Sequence, residues 1–125
     1  MTDDTVTLAE LRAQLRALTQ AIRDAEQSYE AAHETAADAE AIYRSELAKA
    51  LARHRSNSAG VTEAETLARG DVVLHSRERD AAAGKVRYWA ELLENRRDDR
   101  RQLWRLVDVI RPRQAADGRS GEGWP

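Results

Sequence analysis

The segment Glu94–Gln102, ENRRDDRRQ, is the part of the sequence with the clearest capacity for binding. Its arginines recur one helical turn apart, and an aromatic side chain follows them. Cations beside an aromatic ring suit the phosphates and bases of a nucleic acid, or an acidic protein partner. The residues predicted to form this face are Arg96, Arg97, Arg100, Arg101, Trp104 and Arg105.

The same segment has a second interpretation, because Asp98 and Asp99 lie in its middle. Oppositely charged side chains three or four residues apart pair along a helix. The arginines would then form a solvated, salt-bridged face without a ligand. The residues alone leave both interpretations open.

Glu30 and His33 have the Glu-x-x-His spacing that supplies metal ligands in di-iron helical bundles. The sequence contains no second Glu-x-x-His motif, and the apolar pattern of this helix places the pair outside its buried face. His54 and His75 also lack partners at ligand spacing. We therefore expect no metal site and no cofactor.

The sequence offers no recognisable catalytic machinery. It has no cysteine, no Gly-x-Ser-x-Gly motif and no glycine-rich loop of the kind that holds phosphates. Carboxylates are plentiful, but no pair is distinguished by a predicted cleft. We therefore expect no catalytic residues and no small-molecule substrate, and we predict that the protein is not an enzyme.

Composition favours a thin helical seam over a thick globular core. The 125 residues suit one domain, 34% of them are charged, and only 5% are aromatic, with no phenylalanine. The net charge of −2 gives no general attraction to nucleic acids or anionic membranes. No apolar segment has the length of a leader or a membrane span, so we expect a cytoplasmic protein without a membrane partner.

Apolar residues at alternating steps of three and four predict that the first helix packs lengthwise against another helix, as in a coiled coil. They are Leu8, Leu11, Leu15, Leu18, Ile22, Ala25, Tyr29, Ala32, Ala36, Ala39 and Tyr43. Thr7 and Glu10 form a capping-box pattern at its start. We therefore predict an N-terminal arm over residues 1–6 and a helix over residues 8–55.

A turn is predicted over residues 56–61, where small polar residues end in Gly60, which can adopt a positive φ. Thr62 and Glu65 repeat the capping-box pattern directly afterwards. The chain is therefore expected to reverse here and to form a second helix over residues 63–111.

Two further features divide the second half of the chain. Gly70 lies inside the second helix and predicts a kink there. Pro112 predicts the end of the helix, and the sequence over residues 112–125, rich in glycine and charge, predicts a disordered tail. The final Trp124 and Pro125 either act as a short peptide ligand for another protein or have no binding role.

The predicted fold is all-α: a long antiparallel two-helix hairpin that dimerises into a four-helix bundle. In such a hairpin, the stretch of the second helix that faces the N-terminal leucines includes the polar block 94–102, so part of the leucine row would lack a partner within the chain. Burying one leucine is worth about 1.5–3 kcal/mol, so a second copy or a helix of another protein should cover them. The predicted seam comprises Leu8, Leu11, Leu15, Leu18, Ile22, Leu103, Val107 and Ile110.

Two segments and the arginine-rich second helix resemble small helical-hairpin proteins of tailed phages and prophages of actinobacteria. The segments are Tyr43–Leu51, YRSELAKAL, and Val61–Arg69, VTEAETLAR. The resemblance covers roughly residues 40–110 and rests on pattern. It implies an accessory role in the host cytoplasm, because such proteins are often encoded near phage replication or recombination genes.

The leading hypothesis is a non-catalytic, self-associating helical hairpin that binds another protein, in phage DNA metabolism or in interference with a host factor. One alternative is a DNA- or RNA-binding accessory protein that uses the arginine-rich face. Another is a structural component of the phage particle. Ionic strength separates the first two, because phosphate contacts weaken steeply with salt and an apolar contact does not.

Overall fold

The computed structural model describes the backbone of residues 6–121 and the side chains of residues 6–111. Within these bounds the chain forms three α-helices and no strand, which confirms the all-α prediction. The helices are α1 (Leu8–Ser56), α2 (Val61–Asp71) and α3 (Val73–Gly121). Most of the predicted N-terminal arm and the Trp124–Pro125 end lie outside the described residues. None of the described helices has both the length and the apolar composition needed to cross a bilayer.

Helix α1 begins and ends where the sequence predicts, within one residue. The backbone N–H of Thr7 donates to Oε2 of Glu10, and the N–H of Glu10 donates to Oγ1 of Thr7, both at 3.1 Å. These reciprocal bonds satisfy two donors that a helix N-terminus otherwise leaves without partners. The predicted capping box is confirmed.

The C-terminus of α1 is closed by a Schellman motif. The N–H of Ala59 donates to the carbonyl of His54 at 3.2 Å, and the N–H of Ser58 donates to that of Arg55 at 3.1 Å. Ser58 is the left-handed residue, with a φ of 70°, whereas Gly60 is extended, with a φ of −65°. The positive φ predicted for Gly60 therefore falls two residues earlier, at the position that the motif requires.

Helix α2 starts at Val61, two residues before the predicted start of the second helix. The carbonyl of Gly60 accepts the first helical hydrogen bond, from Ala64, at 2.8 Å. Gly60 is thus the N-cap, and it has no side chain to form a capping bond. The predicted capping box of Thr62 and Glu65 is wrong, because Thr62 already lies inside the first helical turn.

The kink predicted near Gly70 appears as an interruption at Val72, which separates α2 from α3. Helical hydrogen bonds continue on both sides of the interruption. The backbone N–H of Val72 donates to the carbonyl of Ala68 at 3.2 Å, and the N–H of Ser76 donates to the carbonyl of Val72 at 2.9 Å. A Cβ atom added to Gly70 would have no neighbour within 4 Å. The interruption therefore coincides with the buried side chain of Val72, not with a close approach at the glycine.

Helix α3 continues beyond its predicted end at Arg111 and passes through Pro112 to Gly121. The backbone of residues 112–121 is therefore helical, in contrast to the predicted disordered tail. A proline inside a helix removes one hydrogen bond and crowds the preceding turn, at a cost of about 3 kcal/mol. It disfavours the helix locally without forcing the chain to leave it, so proline marks a helix end only as a tendency.

The chain divides into two compact units, each with segments of α1 and α3. The terminal unit consists of Met1–Glu26 and Glu91–Pro125, and the central unit consists of Gln27–Ala90. The central unit also contains all of α2.

The core of the terminal unit is the predicted leucine seam, which packs against side chains of the same chain. Leu11 and Leu15 of α1 pack with Val107 of α3, and Leu11 and Val107 are each only 1% exposed. Leu8, Leu103 and Ile110 pack against them, while Ile22 is buried and Leu18 is half-buried. For Leu8, Leu11 and Leu15, the predicted lack of a partner within the chain is wrong, because Leu103, Val107 and Ile110 of α3 pack in the same cluster.

The core of the central unit is built from smaller side chains. Ala50 of α1 packs with Ala68 of α2 and with Val72, at exposures of 2%, 0% and 3%. Half-buried Leu47 and Leu51 pack against this cluster. Small residues at such contacts let helix backbones approach closely, so little free volume remains for larger side chains.

Candidate functional site

A groove in the terminal unit, with a volume of about 470 Å³, lies between one side of α1 and Trp104 of α3. We call it the basic groove. Its lining residues are Arg12, Leu15, Arg16, Thr19, Gln20, Arg23 and Trp104. Leu15 is 6% exposed and belongs to the core, whereas Trp104 is 49% exposed. The groove thus joins an apolar surface to three cations.

The helical repeat of α1 places the three arginines on one side. Arg12 and Arg16 are four residues apart, and Arg23 follows seven residues later, so all three project beside the leucine seam. At 1.5 Å per residue, they are separated by about 6 Å and 10 Å along the helix axis. The buried leucines fix this side of α1, and therefore fix the arginine row against Trp104.

The positive charges of the arginine row have no direct ion-pair partner among the described residues. Arg12, Arg16 and Arg23 form no ion pair with any described residue. The sequence has no acidic residue between Glu10 and Asp24. Three like charges spaced along about 17 Å of helix repel one another, and an anion placed among them removes that repulsion.

Two of the predicted arginines of α3 are engaged by carboxylates. Nη2 of Arg97 lies 3.8 Å from Oε1 of Glu26 on α1. Nη2 of Arg101 contacts Asp98 one turn earlier and also lies 3.4 Å from Oε1 of Glu94. All of these side chains are substantially exposed, so each pair contributes little to stability. For these two arginines, the salt-bridged interpretation of the segment is the better one.

The remaining arginines of that face do not gather into one site. Arg96 and Arg105 are exposed and Arg100 is half-buried, and none of them has an ion-pair partner among the described residues. Of the six residues predicted for this face, only Trp104 lines the basic groove. The structure therefore divides the predicted face into a salt-bridged part, an exposed part and the aromatic wall of the groove.

Sequence reasoning missed the three arginines of α1, although a signal for them was present. The leucine heptads mark the buried side of α1, and the three arginines lie beside this row of leucines. An acid-free window from residue 11 to residue 23, with arginines on one helical side, was the available indication. Proximity to Trp104 could not be read from the sequence, because it depends on the packing of α1 against α3.

The Glu-x-x-His spacing of Glu30 and His33 does not bring metal ligands together in the part of the chain that the structure describes. Glu30 and His33 are both exposed, and the His33 ring meets the Tyr29 ring edge to face, with centroids 4.5 Å apart. Among the described residues, no group of three or more histidine and carboxylate side chains is arranged to hold a metal ion.

An ionic cluster in the central unit joins the end of α1 to the end of α2. Oδ2 of Asp71 lies 2.6 Å from Nε2 of His54 and 3.1 Å from Nη2 of Arg53. The hydrogen bond to His54, and then that to Arg53, lower the pKa of Asp71, so its carboxylate stays charged. The three groups satisfy one another, and we interpret this cluster as a structural link.

The central unit also contains a second, smaller cavity, of about 190 Å³. Most of its lining side chains are small, and Lys85 is the one cation among them, beside Trp89. It lacks the row of charges that marks the basic groove.

The basic groove is therefore the strongest candidate site in the described part of the chain. It combines volume, charge without an internal counterion, and an exposed aromatic ring, which are features of a site for a large anionic ligand. Comparisons with protein-family models, curated proteins and solved structures found no match to this chain.

Proposed function

We propose that the protein is a non-catalytic binding protein that holds an anionic partner in the basic groove. The observation that carries this proposal is the row of Arg12, Arg16 and Arg23 opposite half-exposed Trp104. Guanidinium groups form paired hydrogen bonds to phosphates and carboxylates. The lining side chains include no carboxylate, histidine or cysteine, so the groove is suited to binding and not to acid–base or nucleophilic chemistry.

Heparin, a generic polyanion, tests this proposal. Replacing the three groove arginines by alanine should make the protein elute from a heparin column at clearly lower salt than the unmodified chain. The reason is that each lost contact to a polyanion weakens binding and reduces its dependence on salt, as a lost phosphate contact does in nucleic-acid binding. Circular dichroism should show unchanged helix content, because arginine and alanine have similar helix propensities.

The matched control is a triple alanine variant at exposed arginines of the central unit, which changes the net charge equally. Its positions are Arg55, Arg69 and Arg87. It should elute close to the unmodified protein. If both triple variants elute together, retention depends on net charge alone, and the groove is not the binding site.

We further propose that the chain is an antiparallel helical hairpin that self-associates into a four-helix bundle. The leucine seam is covered within the chain, so the proposed contact lies elsewhere. Leu106 and Val109 support it, because they lie three residues apart on α3 and are 48% and 57% exposed. Exposed apolar side chains grouped on one helix face favour burial against a second copy.

Light scattering after size-exclusion chromatography tests self-association. The expected molar mass is twice the 14.0 kDa of the chain, and it should persist at high salt because apolar contacts are not screened. Replacing Leu106 and Val109 by glutamate should give the monomer mass. A monomer for the unmodified protein would contradict the proposal.

The resemblance to phage and prophage proteins supports an accessory role in DNA metabolism or in interference with a host factor, in the host cytoplasm. An anionic partner in the basic groove is compatible with a role in DNA metabolism. A role in the phage particle is the alternative, and it requires the protein to be present in purified particles.

A further inference from the structure

We infer that the anionic partner is a single-stranded nucleic acid, with a base stacked on Trp104 and phosphates paired with Arg12, Arg16 and Arg23. This inference rests on the proposed function, since it names the ligand class of the same groove. Three properties carry it: the exposed ring, the spacing of the charges and the polar groups between them.

Trp104 supplies a stacking surface. About half of its side chain is exposed at the wall of the groove, beside the apolar floor formed by Leu15. Every nucleic-acid base has a flat π-face that stacks on tryptophan, so such a site accepts different bases. In a duplex, neighbouring base pairs cover these faces. A single strand can turn a base out of its stack, and the ring therefore selects single strands.

The arginine row is long enough to contact several nucleotides of one strand. It extends for about 17 Å along α1, at 1.5 Å per residue. Successive phosphates of one strand are about 3.4 Å apart along a duplex axis, and further apart when the strand is extended. The row therefore spans about three to five nucleotides, which suffices for each of the three arginines to contact a different phosphate.

Two polar side chains lie between the charges and can contact base edges. Nε2 of Gln20 donates to Oδ1 of Asp24 at 3.0 Å, and the amide oxygen Oε1 can accept a further hydrogen bond. Thr19 adds a hydroxyl group that can donate or accept. A polypeptide made only of acidic residues would satisfy the arginines equally well but has no ring to stack on Trp104, whereas every nucleotide carries both a phosphate and a base, so the combination favours a nucleic acid.

Fluorescence anisotropy with a labelled oligothymidylate of about 12 nucleotides tests the inference. We expect it to bind at least 10-fold more tightly than a duplex of the same length. Three phosphate contacts at a slope of about 0.7 each should weaken binding roughly 20-fold between about 50 and 200 mM salt. The triple alanine variant of the groove should lose most of this salt dependence.

Substitutions of Trp104 separate stacking from charge. Trp104→Ala should weaken oligothymidylate binding by about 10-fold, whereas Trp104→Phe, which keeps an aromatic face, should retain most of the affinity. Tyr88→Ala is the matched control, since Tyr88 is 59% exposed and lies in the central unit. It should leave binding unchanged.

The outcomes distinguish this inference from the proposed function. Equal affinity for single strand and duplex, or an unchanged affinity in Trp104→Ala, would overturn the inference while leaving an anion-binding groove. The same holds if polyglutamate binds through the groove arginines and the oligonucleotide does not. If oligonucleotide, duplex, polyglutamate and heparin all fail to bind the unmodified protein, both proposals are wrong.

Discussion

Replacing Leu11 by alanine should lower the free energy of unfolding by about 2–5 kcal/mol, the range for a buried leucine whose cavity does not collapse. Leu11 is 1% exposed and packs with Leu15 and Val107. Its neighbours lie on two helices whose backbones cannot close the gap independently, so the cavity should persist. Urea denaturation followed by far-ultraviolet circular dichroism measures the loss.

Leu74→Ala is the matched control, because this leucine lies on α3, in the central unit, and is 69% exposed. Its substitution should cost less than about 1 kcal/mol. The destabilisation by Leu11→Ala should also be independent of protein concentration, since the contact lies within one chain. A loss comparable to that of the control, or a loss that vanishes on dilution, would contradict the intramolecular seam.

The sequence predicted which residues of the terminal unit are buried, but not which residues face one another. A heptad pattern marks the buried side of each helix, and all eight predicted seam residues are buried or half-buried. The pattern is compatible with more than one register, however. In the structure, Leu11 and Leu15 pack with Val107, so these leucines have partners on α3 outside the polar block.

Two predicted interactions between residues close in sequence are confirmed, although the capping box predicted for Thr62 and Glu65 is wrong. The capping box of Thr7 and Glu10 needs only three residues of separation, and the pairing of Arg101 with Asp98 needs one helical turn. The basic groove is different, because its arginines and Trp104 are about 80–90 positions apart in the sequence. Such a site exists only after α1 and α3 pack, which is why Trp104 was predicted to bind a ligand and the three arginines were missed.

The core of the central unit is built from small side chains, whereas that of the terminal unit is built from large ones. Alanines occupy the most buried positions of the central unit. Ala68 is 0% exposed and packs with Ala50, which is 2% exposed, and with Val72. The stability of this contact depends on side chains that are small enough for the helices to approach closely. Adding methyl groups should therefore destabilise this contact, just as removing them destabilises the core around Leu11.

Replacing Ala68 by leucine should lower the free energy of unfolding by about 1–3 kcal/mol, because the added carbons must displace backbone or force strained rotamers. Ala48→Leu, at an exposed position of α1 in the same unit, is the control and should change stability by less than about 0.5 kcal/mol. Urea denaturation compares the two. If Ala68→Leu is as stable as the control, the alanine contact has free space and α1 and α2 do not approach closely at this point.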